Sequence, residues 1–574
     1  MKFTLNWLKQ HLDTQASLEQ ICERLTAIGL EVESVEDRAK IYAPFKVAYV
    51  ESAVQHPSAD RLRVCMVKTE KGTLQVVCGA PNARAGMKGI FAPEGSVIPA
   101  SGLVLKKGKI RDVESNGMLV SEEEMVLPET IDGIIEVDEK WEIGTPLAEV
   151  FGLNDPVIEI NLTPNRIDCA GVYGIARDLA AAGVGTLKPV NVKPIKGSFK
   201  SPINIKIEDN DGCPLFLGRY IKGVKNGPSP EWLKTLLAGA GQKSISTLVD
   251  ITNFLSLGYC RPLHVFDADK LKGNILLRTS KAGETLAALN EETYTLPDGA
   301  VAVCDDSGVI GLGGIMGGAT TGVDENTVNV YVEAAYFNPV RIARTGRDLQ
   351  IASDARYRFE RGVDPEFTKI GMDLATQMIL DLCGGEASEI VTAGAMPTWQ
   401  RSIDYDPALM TKLIGMDVPA QKQKEILTAL GFTISGDKTF KVQPPSWRGD
   451  IEGAADLAEE VTRIIGFDSL PAVSVRSLTT VSAVAETQTL RRARLARNAL
   501  AVRGLDECIT WSFTGHEQAQ RFGANDIASL TLKNPISSEL DVMRPSILPN
   551  LIQAAQANHA RGYPNAALYE VGPI

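Results

Sequence analysis

The stretch "RIDCAGVYGIARDLAAAG", Arg166 to Gly183, resumes a helical pattern last seen in "SLEQICERLTAIG", which starts at a Ser17 cap and stops at Gly29. Between the two the composition changes. From about 41 to 150, short runs such as "FKVAYVESAV", "LRVCMVKTE" and "TLQVVCGA" alternate with Gly and Pro turns, the pattern of a small β-barrel or sandwich. A β domain inserted between two halves of a helical domain is therefore expected. From about 200 to 395 strands and helices alternate without regular βαβ spacing, which predicts α+β architecture.

At 574 residues the chain exceeds one core, so three to five domains are expected. Its 44% hydrophobic and 23% charged residues are those of a soluble globular protein. The nine cysteines stand singly, with no CxxC pair, as reduced thiols of a cytoplasmic protein do. No export signal and no run of apolar residues long enough to span a membrane is legible. The net charge of -12 argues against a general nucleic-acid coat, yet ten Lys and Arg between Arg61 and Arg111 face only Glu70 and Glu94. That island, with Arg61, Arg63, Lys106, Lys107, Lys109 and Arg111, suits a polyanion, because such cations neutralise phosphates and release counterions.

"PSWRGDIEGAADLAEEVTRIIGFDSLP", Pro445 to Pro471, concentrates carboxylates. Leu457, Val461, Ile464 and Ile465 form one stripe of an amphipathic helix that Gly466 stops. Asp456, Glu459 and Glu460 fall within an arc of roughly 100° on the opposite side. Two readings follow: a solvated acidic face, with Glu459 spaced to meet Arg463, or a hard-cation site. Elsewhere standard signatures are absent. "GLGGIMGG", Gly311 to Gly318, matches neither phosphate-loop pattern and reads as tight backbone packing beside a pocket. The five histidines form no HExxH, and no serine nucleophile elbow occurs.

Several stretches, in one order along nearly the whole chain, resemble the β subunit of bacterial phenylalanine–tRNA ligases. They are "HPSADRLRVCMV", "VVCGAPNARAG", "SNGMLVSEEE", "EINLTPNRIDCAGVYGIARDLAA", "LVDITNFLSLGYCRPLHVFDADKLKG", "GGIMGG", "SDARYRFERGVDP", the acidic stretch, and the terminal "MRPSILPNLIQAAQANHARGYPNAALYEVG". Val120 and Ser353 stand where that family commonly has Cys and Thr. The resemblance implies a multidomain α+β protein. Its parts would be a helical/α+β N-terminal domain (1–39 with 152–195), an inserted OB-fold β-barrel that binds tRNA (40–151) and an α+β editing domain (200–395). A small α+β winged-helix-like domain with the acidic helix (400–475) and a truncated class II synthetase-like domain (485–574) would follow. The family's terminal anticodon-binding domain has no counterpart, and "NAALYEVGPI" reads as a chain cut inside a domain.

The resemblance further implies an α₂β₂ ligase whose α subunit holds ATP and phenylalanine, so this chain alone is expected not to activate phenylalanine. It implies Mg²⁺ held by Asp450, Asp456, Glu459 and Glu460 at the junction with α. It implies hydrolysis of tyrosine misattached to tRNA(Phe), with Glu333 selecting the tyrosine hydroxyl and Gly317 and Ala355 shaping the wall. His264 and Ser353 would orient the ester, the tRNA 3′ end or water. From the residues alone, His264 also reads as a hydrogen-bonded core histidine, and Glu333 as an ion-pair partner of Arg341 or Arg344. A free-standing editing hydrolase and a non-catalytic tRNA-binding scaffold are the alternative functions. The acidic helix and the catalytic-like tail favour a subunit, because a free-standing editor needs neither.

Overall fold

The computed structural model describes residues 1–127, 132–475 and 485–574, which fall into two compact units, Met1–Pro471 and Ala472–Ile574. The first unit opens on a three-stranded antiparallel sheet whose central strand, Val157–Ile160, pairs with Lys2–Thr4 on one side and Val32–Glu36 on the other. A strand from beyond the β-rich segment thus lies between two that precede it. This is what an inserted domain requires. Helix Leu18–Ala27 begins at Ser17, where the Ser17 and Gln20 side chains satisfy each other's backbone N–H groups.

The inserted segment is one antiparallel sheet in the order Met118–Leu119, Lys88–Ala92, Lys46–His56, Ala59–Thr69, Gly72–Cys78. Register shifts at Val50/Ser52 and Gln55/His56 let the long strands bend. The expectation of a barrel is corrected here, since among the described residues no ladder joins the two end strands. Single bonds span that gap instead: Asn116 N donates to Gln75 O at 2.8 Å, and Val77 N to Ser115 Oγ at 3.1 Å. The sheet curls without closing.

Residues 200–395 build two five-stranded sheets and a two-stranded ribbon. The one that matters for chemistry runs His264–Asp267, Asn329–Tyr336, Leu215–Lys222, then Glu386–Ala387, with all neighbours antiparallel. Side chains alternate across it. Val265, Val330, Val332, Ala334, Leu215 and Leu217 join the large core that also holds Trp7, Leu25, Ile175, Leu457 and Val461. Phe266, Tyr331, Ala335 and Phe216 face a second core.

Helix Ala454–Ile465 forms as its periodicity predicts, with Leu457, Val461 and Ile464 buried and Gly466 at φ 108° ending it. Its polar side departs from expectation, because Glu460 is 2% exposed. It accepts from Arg463 Nε at 2.7 Å and from Arg448, which in turn holds Asp450 at 2.8 and 2.7 Å. Asp178, on helix Val172–Ala181, accepts from Arg463 Nη1 at 2.8 Å and from Arg166 Nη2 at 2.7 Å. Arg166 also grips Asp168 at 3.0 Å.

In the second unit, helix Gln488–Ala501 buries none of its side chains, and among the described residues only Ala519, Val542, Pro549 and Tyr569 are buried apolar groups. Arg544 and Glu570 pair in its interior at 2.8 Å. Among the described residues no helix is long and apolar enough to cross a membrane. Asp178→Ala should leave two buried guanidiniums short of an acceptor and lower unfolding stability by about 3 kcal/mol, read as a lower midpoint in chemical denaturation.

Candidate functional site

Glu333 sits at the middle of its strand, directly opposite His264 on one neighbour and Gly218 on the other, all on the face toward the second core. A carboxyl is thereby set in an apolar wall with a histidine on one side and no side chain on the other. Glu333 is 7% exposed, and its carboxyl makes no hydrogen bond among the described residues. Arg341, one sequence-based partner, instead pairs with Asp209 at 2.7 Å, and Arg344 is exposed. Burial pushes the Glu333 carboxyl up to about 8, with Arg261 opposing the rise. The group is mostly protonated at neutral pH.

His264 packs edge-on against Phe266, ring centroids 4.3 Å apart, and its buried Nε2 has no partner among the described residues. Burial takes it down to about 4, so the ring is neutral. Gly317 closes over it: a Cβ there would lie 2.4 Å from His264 Cε1 and 3.0 Å from Leu289 Cδ1. The glycine-rich stretch therefore packs backbone against the histidine, as its composition suggested. Ser353 serves as a helix cap. Its hydroxyl donates to Ile315 O at 2.7 Å and accepts from Arg356 N at 3.1 Å, capping helix Asp354–Phe359 and fastening it to the glycine loop. Its single proton is thus committed to the protein, and it positions Ala355, which packs half-buried on the second core.

Three groups at this site escaped the sequence reading. Tyr331 is buried two residues before Glu333 on the same face, its hydroxyl unpartnered among the described residues and leaning where Gly218 lacks a side chain. Gly218 makes that possible, since a Cβ there would stand 1.8 Å from the Tyr331 oxygen. Arg261 is fully buried, with its Nε unpartnered among the described residues. The only available hint was its place three residues before His264 in "CRPLH".

Of the basic island, Lys109 and Arg111 lie on a hairpin, Gly108–Ile110 with Val113–Ser115, whose turn residues Arg111 and Asp112 both take positive φ, 46° and 70°. Buried His56 anchors it: Nδ1 accepts from Ser58 N at 3.1 Å, which leaves Nε2 to donate to Ile110 O at 3.1 Å. Arg61, Lys106, Lys107, Lys109 and Arg111 are exposed. Arg63 is not equivalent, because its guanidinium braces the sheet by donating to Ala83 O at 2.6 Å.

The four carboxylates expected at Mg²⁺ do not form a ligand set in this chain. Glu460 is held between two arginines and Asp450 is forked by Arg448. Asp456 accepts from Glu452 N and Gly453 N at 2.8 Å, and only Glu459 is exposed and unengaged. Oxygens already bound to N–H donors do not suit a hard cation. Asp168, Cys169 and Asp178 also converge, but Arg166 Nη2 occupies their centre, donating to Cys169 Sγ and Asp178. Two other concavities, of about 600 Å³ beside Ile195 and Asp373 and about 240 Å³ among Tyr173, Tyr259, Phe367 and Trp447, are not lined by Glu333 or His264.

Comparison with known proteins assigns residues 45–146 to a putative tRNA binding domain and 212–384 to a B3/4 domain. Residues 403–467 match a tRNA synthetase B5 domain, and 471–574 a phenylalanyl tRNA synthetase beta chain CLM domain. The phenylalanine–tRNA ligase beta subunits of Paramagnetospirillum magneticum and Rhodospirillum rubrum are each 53% identical over 100% of this chain, which spans 72% of their length. A solved N-terminal fragment of the phenylalanyl-tRNA synthetase beta subunit from Pyrococcus horikoshii aligns at 16% identity, covering 57% of this chain and 90% of the fragment, with a TM-score of 0.30.

Burial of Glu333 has a measurable signature. The native state keeps its proton where the unfolded chain has lost it, so stability falls as pH rises from about 4.5 to about 8. Against Glu333→Gln, the wild type should lose ~1.4 kcal/mol per pH unit across that window in parallel denaturation series. His264 acts oppositely, costing stability as pH falls from 6.5 toward 4.

Proposed function

Because the chain belongs to the family of phenylalanine–tRNA ligase β subunits, we propose that its Glu333–His264 site hydrolyses tyrosine wrongly esterified to tRNA(Phe). The observation that carries this reading is a concentration of unsatisfied polarity. Among the described residues, His264 Nε2, Tyr331 Oη and Arg261 Nε are all buried without partners around a carboxyl that itself lacks a hydrogen bond. Buried polar atoms are normally paired, and each orphan costs about 1–3 kcal/mol, so a cluster of them is a site awaiting a polar ligand.

Tyrosine exceeds phenylalanine by one hydroxyl, and an apolar pocket rejects an added hydroxyl by only about a hundredfold. The Glu333 site reverses the preference. A tyrosine hydroxyl satisfies the buried carboxyl, whereas phenylalanine leaves it unpaired. Neutral His264 has a ring nitrogen able to hold water or a ribose hydroxyl near the ester. Water adds to the ester carbonyl and the bond to the ribose oxygen breaks, giving tyrosine and tRNA with a free hydroxyl. The exposed cations of the basic island hold the RNA phosphates. In the resulting assembly an α subunit supplies ATP-dependent activation, as an α₂β₂ enzyme, and this chain supplies tRNA contact and correction. Mg²⁺ at the Asp450–Glu460 segment would require rearrangement of its arginine pairs when α docks, and no step above depends on it.

Glu333→Ala and His264→Ala in the assembled enzyme should each slow release of tyrosine from preformed tyrosyl-tRNA(Phe) by about a hundredfold or more. Wild-type clearance by both variants, with phenylalanyl-tRNA untouched, rules the site out. Replacing Lys106, Lys107, Lys109 and Arg111 by Glu should weaken tRNA binding and flatten its salt dependence by about one log unit per lost phosphate contact in filter-binding titrations.

A further inference from the structure

Arg261 begins the segment that joins helix Thr247–Tyr259 to the His264 strand. The turn into it is fixed. Cys260 takes a left-handed conformation, φ 54°, its Sγ donates to Ile167 O at 3.1 Å, and Arg261 N donates to Leu255 O at 3.3 Å. The aliphatic stem runs over Gly371 of helix Phe367–Cys383, where a Cβ would stand 2.8 Å from Arg261 Cγ. Beyond it the guanidinium lies 5.8 Å from the Phe359 ring centroid and divides its donors between two carbonyls. One is Ala335 O, two residues along the strand from Glu333 and on its face; the other is Asp364 O, at 3.2 Å.

We propose that Arg261 is a positioning residue for Glu333: its fork fastens the Glu333 strand to the 362–366 loop, and its charge is the cation against which that carboxyl is held. The inference rests on the editing reading for its function, though not for its geometry. The other titratable groups facing Glu333 are His264, Tyr331 and Cys213, all neutral at pH 7, while Asp364 and Tyr336 face Arg261. Arg261 is thus the one counter-charge among them. Burial lowers it only to about 10, so it remains cationic through the working range.

Two substitutions separate fork from charge. Arg261→Gln keeps an amide able to donate to a carbonyl and removes the cation. It should move the pH limb of tyrosyl-tRNA(Phe) hydrolysis upward by about one unit. Arg261→Lys keeps the cation and loses the fork; it should leave the limb in place and lower kcat about tenfold. The same shift is read without tRNA from the pH dependence of Tm, by comparing Arg261→Gln with Arg261→Gln/Glu333→Gln and wild type with Glu333→Gln. An unmoved limb and an unmoved thermal titration in Arg261→Gln overturn the proposal. Should that variant not fold, wild-type kcat in Arg261→Lys overturns it. Failure of the wild-type enzyme to release tyrosine overturns the editing reading instead, and the thermal titration alone then decides whether Arg261 sets Glu333.

Discussion

The first unit depends on Asp178. Its carboxylate is shared by Arg166, near it in sequence, and Arg463, which arrives from a helix 285 residues away. Arg463 also grips Glu460, Glu460 meets Arg448, and Arg448 forks Asp450. Charges taken out of water cost several kcal/mol each, and the loss is offset only where each finds an opposite charge in good geometry. Here Arg166, Arg177, Arg448 and Arg463 face Asp168, Asp178, Asp450 and Glu460, four cations for four anions. Such a set is poorly tolerant of displacement. Moving the acidic helix away from helix Val172–Ala181 would strand partners on both sides, so the network fixes where the large core ends.

That core in turn determines the chemistry of the sheet above it. With Val330, Val332 and Ala334 committed to the large core, pleating forces Tyr331, Glu333 and Ala335 to the opposite face. A carboxyl in that position is largely removed from water, with 7% of the residue exposed. It keeps its proton at neutral pH because burial outweighs the single cation nearby. The small residues complete the arrangement: Gly218 yields space to Tyr331, and Gly317 lets backbone lie against His264. The site is made as much by side chains that are missing as by those that are present.

Much of this was legible in the chain. The 3.6-residue stripe from Leu457 to Ile464 predicted a helix, and it forms over Ala454–Ile465. The change from helical to β-rich composition and back predicted an insertion, and strand Val157–Ile160 lies between Lys2–Thr4 and Val32–Glu36. Periodicity works here because it records how one element divides apolar from polar on its own surface. Family motifs brought His264, Gly317 and Glu333 into view, and the ladder sets His264 opposite Glu333, with Gly317 against the ring.

What escaped sequence reading depends on partners distant along the chain. Glu460 lies on the polar side of its helical wheel, yet it is buried, because Arg448 and Arg463 cover it. Arg63 belongs to a basic island by composition but braces a loop, because Ala83 O lies within its reach. Ser353 carries a hydroxyl suited to orienting water, but Ile315 O takes its proton. Arg261, not Arg341, is the cation near Glu333, and only the crossing of the 260–264 segment over the sheet decides that. The sequence by itself determined the elements and the residue types available for chemistry, because those follow from local pattern. Which charges are neutralised, which hydroxyls are spent and which polar atoms are left unsatisfied was decided by tertiary structure alone, because burial and pairing are properties of neighbours in space.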